Sequence, residues 1–344
     1  MGPADVAALP ALEDVLGAAH VVALPMRVRF RGVDVRETVL LRGPAGWGEF
    51  GPFPEYPDAE AAAWLASAIE SAWHPWPRPV RRVVPVNATV PAVPPAQVAG
   101  VLARFPGCRT AKVKVAERGQ RLADDVARVA EVRRLLGPGG RVRVDANGAW
   151  SVDDAVDALR VLGRAGLEYA EQPCATVAEL AELRVKLARA GVDVPVAADE
   201  SIRKADDPFA VAAAGAADVA VVKVAPLGGV RRTLEVAEVL AGDHGLPVVV
   251  SSALDSAVGI AAGLAAAASL PHLTYACGLA TGGLLARDVA ASPGAPVGGT
   301  LPAGRVEPDA GLLAALAASP ERRRWWLERA ARCHALLASA GSGA

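Results

Sequence analysis

Lysine is the scarcest charged residue in this chain of 344 residues: of 36 basic side chains, only Lys112, Lys114, Lys186, Lys204 and Lys223 are lysines. A bias this strong toward arginine leaves lysine enriched where arginine cannot substitute, as where an amine must lose its proton. Net charge is scarce too, at −1, and there is no long basic run, which disfavours a nucleic acid or an anionic membrane as partner. Cys108, Cys174, Cys277 and Cys333 lie far apart with no Cys-x-x-Cys pair, against a zinc knuckle or a disulfide framework. The longest uncharged apolar run, Ser256 to Leu270, is shorter than the roughly 20 residues of a membrane span. The N-terminal stretch lacks a basic region and is interrupted by Glu13 and Asp14, unlike a signal peptide. A cytoplasmic protein acting on a small molecule is the expectation, with its oligomeric state left open.

What is present is apolar bulk, 52% of residues, arranged in a repeating alternation from about Val83 onward. Short β-type runs begin near Val83, Thr110, Arg141, Leu167, Pro195, Val219, Pro247 and His272, each followed by a helical run. Runs such as "VAVVKVAP" are almost continuously apolar, as parallel strands covered on both faces require. Ser151 with Asp154, and Thr176 with Glu179, have the spacing of helix N-caps. Eight strands and seven helices predict an α/β fold, a modified TIM barrel of (β/α)7β type. No G-x-G-x-x-G or P-loop stands at a strand-to-helix turn, which lowers the rival doubly wound sheet.

The first eighty residues read differently. "VRFRGVDVRETVLLRGPAGWGEFGPFP" alternates and turns like an antiparallel sheet, a helix follows over about Asp58 to Trp73, and "HPWPRPVRRVVP" reads as a linker. The expected organisation is an α+β capping domain over 1–80, completed by 305–344, and a catalytic barrel over 81–304. Trp325 and Trp326 in the terminal helix are expected to pack rather than to bind.

Charged residues at the C-terminal ends of barrel strands mark the catalytic face. Strand two carries Lys112 and Lys114, strand three Arg143 and Asp145, strand four ends on Glu171, strand five on Asp199, and strand six carries Lys223. Any one of the acids alone is compatible with a cap or a loop. Three at equivalent places on adjacent strands would repel one another unless a cation lay between them, and a hard divalent ion such as Mg²⁺ suits carboxylates. Lys112 and Lys114 are two apart, on one side of their strand and roughly 6.5–7 Å apart along it. Positive charge beside them would lower an amine from its usual pKa of ~10.4 toward that of a working base. A metal and lysines around one cavity suit abstraction of a proton next to a carboxylate.

The Lys-x-Lys of Lys112 and Lys114, "DAN" at Asp145, "EQP" at Glu171, "DES" at Asp199 and Lys223, with the N-terminal "GWGEFGPFPEY", resemble the muconate-lactonising branch of the enolase superfamily. The resemblance implies Mg²⁺, which Mn²⁺ could replace, on Asp145, Glu171 and Asp199. It implies Lys114 as base, Lys112 as its neighbour tuning the pKa, and Lys223 as a second acid/base or as a cation stabilising the enediolate. Within the branch it favours the dehydratases that convert 2-succinyl-6-hydroxy-2,4-cyclohexadiene-1-carboxylate to o-succinylbenzoate in menaquinone biosynthesis. Arg143, Ser251, Ser252 and Gly278 are then expected to bind substrate. The alternatives are N-acylamino acid racemases, dipeptide epimerases and muconate cycloisomerases. The epimerases generally carry Asp-x-Asp on the last strand and the cycloisomerases usually an acid there, whereas this chain reads "HLTYACG".

Overall fold

The computed structural model describes residues 9–341 apart from 31, 204–206 and 293; Lys204 and Arg31 therefore lie outside the described residues. Three antiparallel strands, His20–Phe30, Val33–Gly43 and Gly46–Phe50, form a meander in the order one, two, three. Both faces of this sheet are covered. Val39, Leu41 and Phe50 face a core shared with Trp64 and Leu65 of the helix Asp58–Trp73 and with Trp326 of the terminal helix Pro320–Gly341. Val22, Leu24 and Leu40 face Ala257, Val258 and Ala261 of a barrel helix. Trp326 is fully buried, meets Phe50 edge-on, and donates its indole N–H to Glu37 at 2.9 Å. The chain end thus packs on the N-terminal sheet, where Ala23 N also donates to Leu316 O.

Close approach of helix to sheet depends on missing side chains. A Cβ on Gly48 would overlap the carbonyl of Ala68 in the helix Asp58–Trp73, and one on Gly43 would overlap that of Ala72.

The second body is a parallel sheet of seven strands: Ala88–Val90, Thr110–Lys114, Arg141–Asp145, Leu167–Glu171, Val196–Ala198, Val219–Lys223 and Val248–Ser251. Its two edges are joined by the segment around Cys277. Cys277 N donates to Pro85 O and Asn87 N to Cys277 O on one side; on the other, Gly278 N donates to Val250 O and Ser252 N to Gly278 O. Parallel bridges Val86 to Cys277 and Ser251 to Gly278 complete the closure. The eighth strand is therefore only a few residues long.

This shifts two expected strands. Val83–Pro85 pairs antiparallel with Thr300–Pro302 outside the parallel sheet, and the first barrel strand begins at Ala88. The last begins past His272, near Cys277. Pro85 lacks the N–H a ladder needs, so the chain changes partners there. The middle strands stand where the periodicity put them, and both expected caps form: Ser151 Oγ accepts from Asp154 N, and Thr176 with Glu179 makes a full capping box. The Pro-rich segment is fastened by Arg81, whose guanidinium donates to Ala267 O, Leu270 O and Pro271 O at the end of the helix Ala257–Ser269. Free helix-end carbonyls take a cation readily.

Gly48→Ala should destabilise the fold by about 1–3 kcal/mol, because the added methyl meets backbone that cannot rotate away. The thermal midpoint by circular dichroism should drop. Gly100→Ala, in the helix Pro95–Leu102 with nothing within 4 Å of its new methyl, should hold or raise it.

Candidate active site

Strand register places the ionisable residues in layers inside the barrel. Lys114 pairs with Asp145 and Asp145 with Glu171, forming one row at the C-terminal strand ends. Lys223 pairs with Ser251, and Ser251 bridges to Gly278, so the row continues on the far side. Asp199 sits just past strand five. One layer deeper lie Lys112, Arg143 and Tyr169, with Tyr169 among Ala197, Val221 and Val249. The cavity above is small, about 30 Å³; its walls include Lys112, Lys114, Asp145, Lys223, Ser251, Ser252 and Gly278.

All three acids are at most 1% exposed, and each is engaged by an amine. Lys114 donates to Asp145 and, at 2.6 Å, to Asn147 Oδ1. Lys112 lies 2.5 Å from Glu171 Oε1 and 3.1 Å from Asp145 Oδ2. Lys223 donates to Asp199 Oδ2 at 2.6 Å, whose other oxygen accepts from Arg203 Nε at 3.0 Å. Burial alone would raise Asp145, but Lys114 and Lys112 outweigh it and hold that carboxyl far below its usual range. Asp199 is lowered in the same way against its burial by Lys223 and Arg203. Glu171 goes the other way: burial, with Asp145 and Asp199 nearby, pushes it up to about 7 in spite of Lys112. Its Oε2 is buried with no hydrogen-bond partner.

Lys112 is raised, not depressed, because the attraction of Glu171 and Asp145 exceeds the effect of burial. Two adjacent amines therefore do not suffice to lower this lysine while the acids face it. Among the described residues, no three acidic, histidine or cysteine side chains converge on a common metal position. Each acid is turned to its own amine. The donor set is nonetheless that of a hard cation: buried carboxylates on neighbouring strand ends, one oxygen of which has nothing to accept from.

Arg143 is not where the sequence suggested. It shares the inward face with Asp145 but sits a layer deeper and lines no part of the cavity. It donates to Glu168 at 2.5 Å, Asn87 Oδ1 at 3.1 Å and Ala276 O at 2.8 Å, with Tyr169 and Tyr275 against its guanidinium. Its neighbour Ala276 belongs to the short closing strand, so Arg143 helps to hold that strand. Arg29 is exposed beside Asp34, away from the cavity walls.

Several contributors do not stand out in the sequence. Among the described residues, the non-glycine positions with positive φ are Ala116, Asn147, Gln172 and Leu254, each within three residues of the end of barrel strand two, three, four or seven. Such strain concentrates where a side chain must be aimed. Asn147 bonds Lys114 and Glu200; Gln172 Oε1 accepts from Asp199 N and Ser201 N, fixing the end of strand five. Both lie inside the "DAN" and "EQP" motifs, which was the available signal. From the N-terminal body come Phe30, with its ring centroid 5.3 Å from Lys114 Nζ, Phe53 at the cavity wall, and Tyr56, whose hydroxyl accepts from Arg203. Phe30 ends a strand and Phe53 and Tyr56 lie between the sheet and the helix Asp58–Trp73, and an aromatic in either setting carries no sign that marks it in advance.

With this geometry in view, known proteins give a consistent picture. The family model "Enolase C-terminal domain-like" matches residues 96–312, and "Enolase N-terminal domain-like" matches 21–72. The chain is 62% identical to the o-succinylbenzoate synthase of Mycolicibacterium smegmatis, covering 96% of this chain and 99% of that one. It is 63% identical to the o-succinylbenzoate synthase of Mycobacterium tuberculosis, covering 96% and 97%. The fold is similar to that of a muconate lactonizing enzyme from Pseudomonas fluorescens complexed with muconolactone, at TM-score 0.72 and 25% identity, covering 87% of this chain and 98% of that one. It also resembles an N-succinyl Arg/Lys racemase from Bacillus cereus, at TM-score 0.71 and 18% identity, covering 87% and 96%. No helix among the described residues is long and apolar enough to cross a membrane.

Arg143→Met should cost about 3 kcal/mol, since it removes a fully buried guanidinium and leaves half-buried Glu168 with only the more exposed Arg141 as its partner. Urea unfolding measures this directly; an unchanged midpoint would show that Arg143 is not a structural tie of the barrel.

Proposed function

The chain belongs to the enolase superfamily, and from that premise we propose that it dehydrates 2-succinyl-6-hydroxy-2,4-cyclohexadiene-1-carboxylate to o-succinylbenzoate, a carbon–oxygen lyase reaction of menaquinone biosynthesis. The observation that carries this reading is the pair Lys114 and Lys223, on strands two and six, facing one buried cavity from opposite sides of the barrel. Identity of 62–63% to o-succinylbenzoate synthases over nearly the whole chain supports the choice of substrate.

Asp145, Glu171 and Asp199 would hold Mg²⁺, exchanging their lysine partners for it. When bound there, Mg²⁺ would supply positive charge for the substrate carboxylate oxygens. Freed from Asp145, the neutral Lys114 amine takes the proton on the carbon bearing the ring carboxylate. The C–H electron pair moves onto the carboxylate, then returns to form the ring double bond as the hydroxyl leaves from the adjacent carbon. That hydroxide takes the proton back from the Lys114 ammonium, so the net loss is one water, the base is restored and the ring becomes aromatic. Lys223, held at the far wall, offsets the negative charge over the ring.

Charge favours an anionic substrate: with Lys114 neutral, three acids against Lys112, Lys223 and a divalent cation leave a net positive charge for a carboxylate to meet. Ser251 and Ser252 provide hydroxyls at the wall, and Gly278 leaves the room that a methyl would take from Ser251.

Lys114→Ala should lower kcat by about 10²–10⁴-fold or more while Mg²⁺ binding, followed by calorimetry, is kept. A variant that retains full dehydration would exclude Lys114 as the base. Turnover should be measured on the cyclohexadiene and, in parallel, on an N-succinyl amino acid; a racemase would act on the second and leave the first untouched.

Removing the metal gives a separate test. Glu171 folded near 7 lies above its unfolded value, so the native state holds a proton that the unfolded chain releases. Its contribution to stability therefore falls as pH rises through the window from the ordinary glutamate range to about 7. In chelator at pH 8, Glu171→Gln should melt at or above the parent. With Mg²⁺ at 100 times its Kd, the parent should gain about 2.7 kcal/mol and the variant much less. Equal Mg²⁺ shifts in both proteins would remove Glu171 from the cation site.

A further inference from the structure

The loop after strand seven is held from outside the cavity by the N-terminal body. Ser251, Ser252, Ala253 and Leu254 line the cavity, and Ser256 begins the helix Ala257–Ser269. On the barrel side the loop is tied through Ser252, whose Oγ meets Gly278 O at 3.0 Å and Thr281 Oγ1 at 2.7 Å. Leu254 sits at φ +65°, a left-handed conformation unfavourable for a branched side chain, so something must hold it there.

Two buried side chains of the sheet do so. Arg36 donates from Nε to Leu254 O at 3.1 Å and from Nη2 to Gly51 O, and lies over the Phe53 ring with 4.6 Å to its centroid. Glu49 accepts from Ser256 N at 3.0 Å, Ser256 Oγ at 2.5 Å and Gly259 N at 3.0 Å. Gly259 is required for that approach, as a Cβ there would stand 2.8 Å from Glu49 Oε2. Arg36 is 2% exposed and Glu49 6%, and neither reaches the cavity wall. The strained turn at Leu254 is gripped at its carbonyl and, two residues on, at the helix start.

We propose that Arg36 and Glu49 are positioning residues that shape the substrate-facing loop Ser252–Leu254, so that the cap sets substrate affinity through a loop of the barrel. The kinetic part rests on the proposed dehydration; the structural part does not.

A second contact between the two bodies supplies the control. Glu70 accepts from Val230 N at 2.5 Å and Arg231 N at 3.2 Å, at the start of the helix Val230–Gly242. It is the same kind of bond, but the residues from Val224 to Gly229 before that helix do not line the cavity. Loss of docking alone should make Glu49→Gln and Glu70→Gln alike; loss of loop shape should separate them.

The experiment compares the full-length parent, Glu49→Gln, Glu70→Gln and the milder Ser256→Ala, which deletes one of the Glu49 bonds. Hydrogen exchange by mass spectrometry, without substrate, should quicken in the peptide over 249–256 for Glu49→Gln, and less for Ser256→Ala. Glu70→Gln should leave that peptide at the parent rate. On the cyclohexadiene, Glu49→Gln should raise KM about tenfold with a much smaller change in kcat, the signature of lost uniform binding. Glu49→Gln and Ser252→Ala should be non-additive in KM, since both act through one loop. Unchanged exchange over 249–256 in both Glu49→Gln and Ser256→Ala would overturn the proposal, as would equal KM values for Glu49→Gln and Glu70→Gln. Were the parent inactive on the cyclohexadiene, the substrate assignment would fall and the exchange data would still decide the positioning claim.

Discussion

Three carboxylates cannot remain charged in the mouth of a barrel unless positive charge stands beside each of them. Here that charge comes from three of the rare lysines: Lys114 on Asp145, Lys112 between Glu171 and Asp145, and Lys223 on Asp199. Pairing of this kind is seldom a source of net stability, because burying both partners costs about as much as their attraction returns. Its value is that it keeps ionised groups in a buried cavity whose other walls include Phe30, Phe53 and Leu254. The same pairing fixes the chemistry. An amine bound to a carboxylate keeps its proton, so a lysine becomes a base only when its acid is engaged elsewhere.

This constraint explains which features the sequence displayed. Parallel strands covered on both faces are apolar throughout, so an acid or a lysine that interrupts one is conspicuous. Asp145, Glu171, Asp199, Lys112, Lys114 and Lys223 stood out for that reason, and the regular spacing of their strands made the barrel legible too. Depth was not legible. Arg143 has the inward parity of Asp145, yet two residues along a strand is roughly 7 Å, a whole layer of the interior. Lys112 is equally deep, but it reaches up to Asp145 and Glu171, whereas Arg143 turns to Glu168 and Ala276. Parity follows from period two; the direction in which a long side chain leans depends on partners distant in the chain.

The barrel's closure was hidden for a related reason. A strand is recognised by several consecutive residues of one pattern, and the closing segment pairs through little more than Cys277 and Gly278. The tie from Glu49 to Ser256 spans 207 positions and follows no period. A glutamate in "GWGEF" reads from sequence as the polar face of an edge strand, and only the tertiary fold shows it at the start of a barrel helix.

These two levels meet at the loop after strand seven. The ionic row at the strand ends is rigid, because it is anchored by ladder hydrogen bonds on adjacent strands. Ala253 and Leu254 lie past the end of their strand and past the bond from Ser252 N to Gly278 O, where the ladder no longer fixes the backbone, and Leu254 occupies a conformation it would leave if released. A fold of this kind can keep its proton-transfer groups constant while its specificity changes with whatever holds that loop. Arg36 and Glu49 belong to the sheet of the other body, with their own packing constraints, so substitutions in that sheet can alter which acid is bound without touching a group that moves a proton. The division of labour follows from where backbone hydrogen bonding stops: inside the ladder, geometry is set by the barrel; beyond it, by the neighbour that supplies the missing partners.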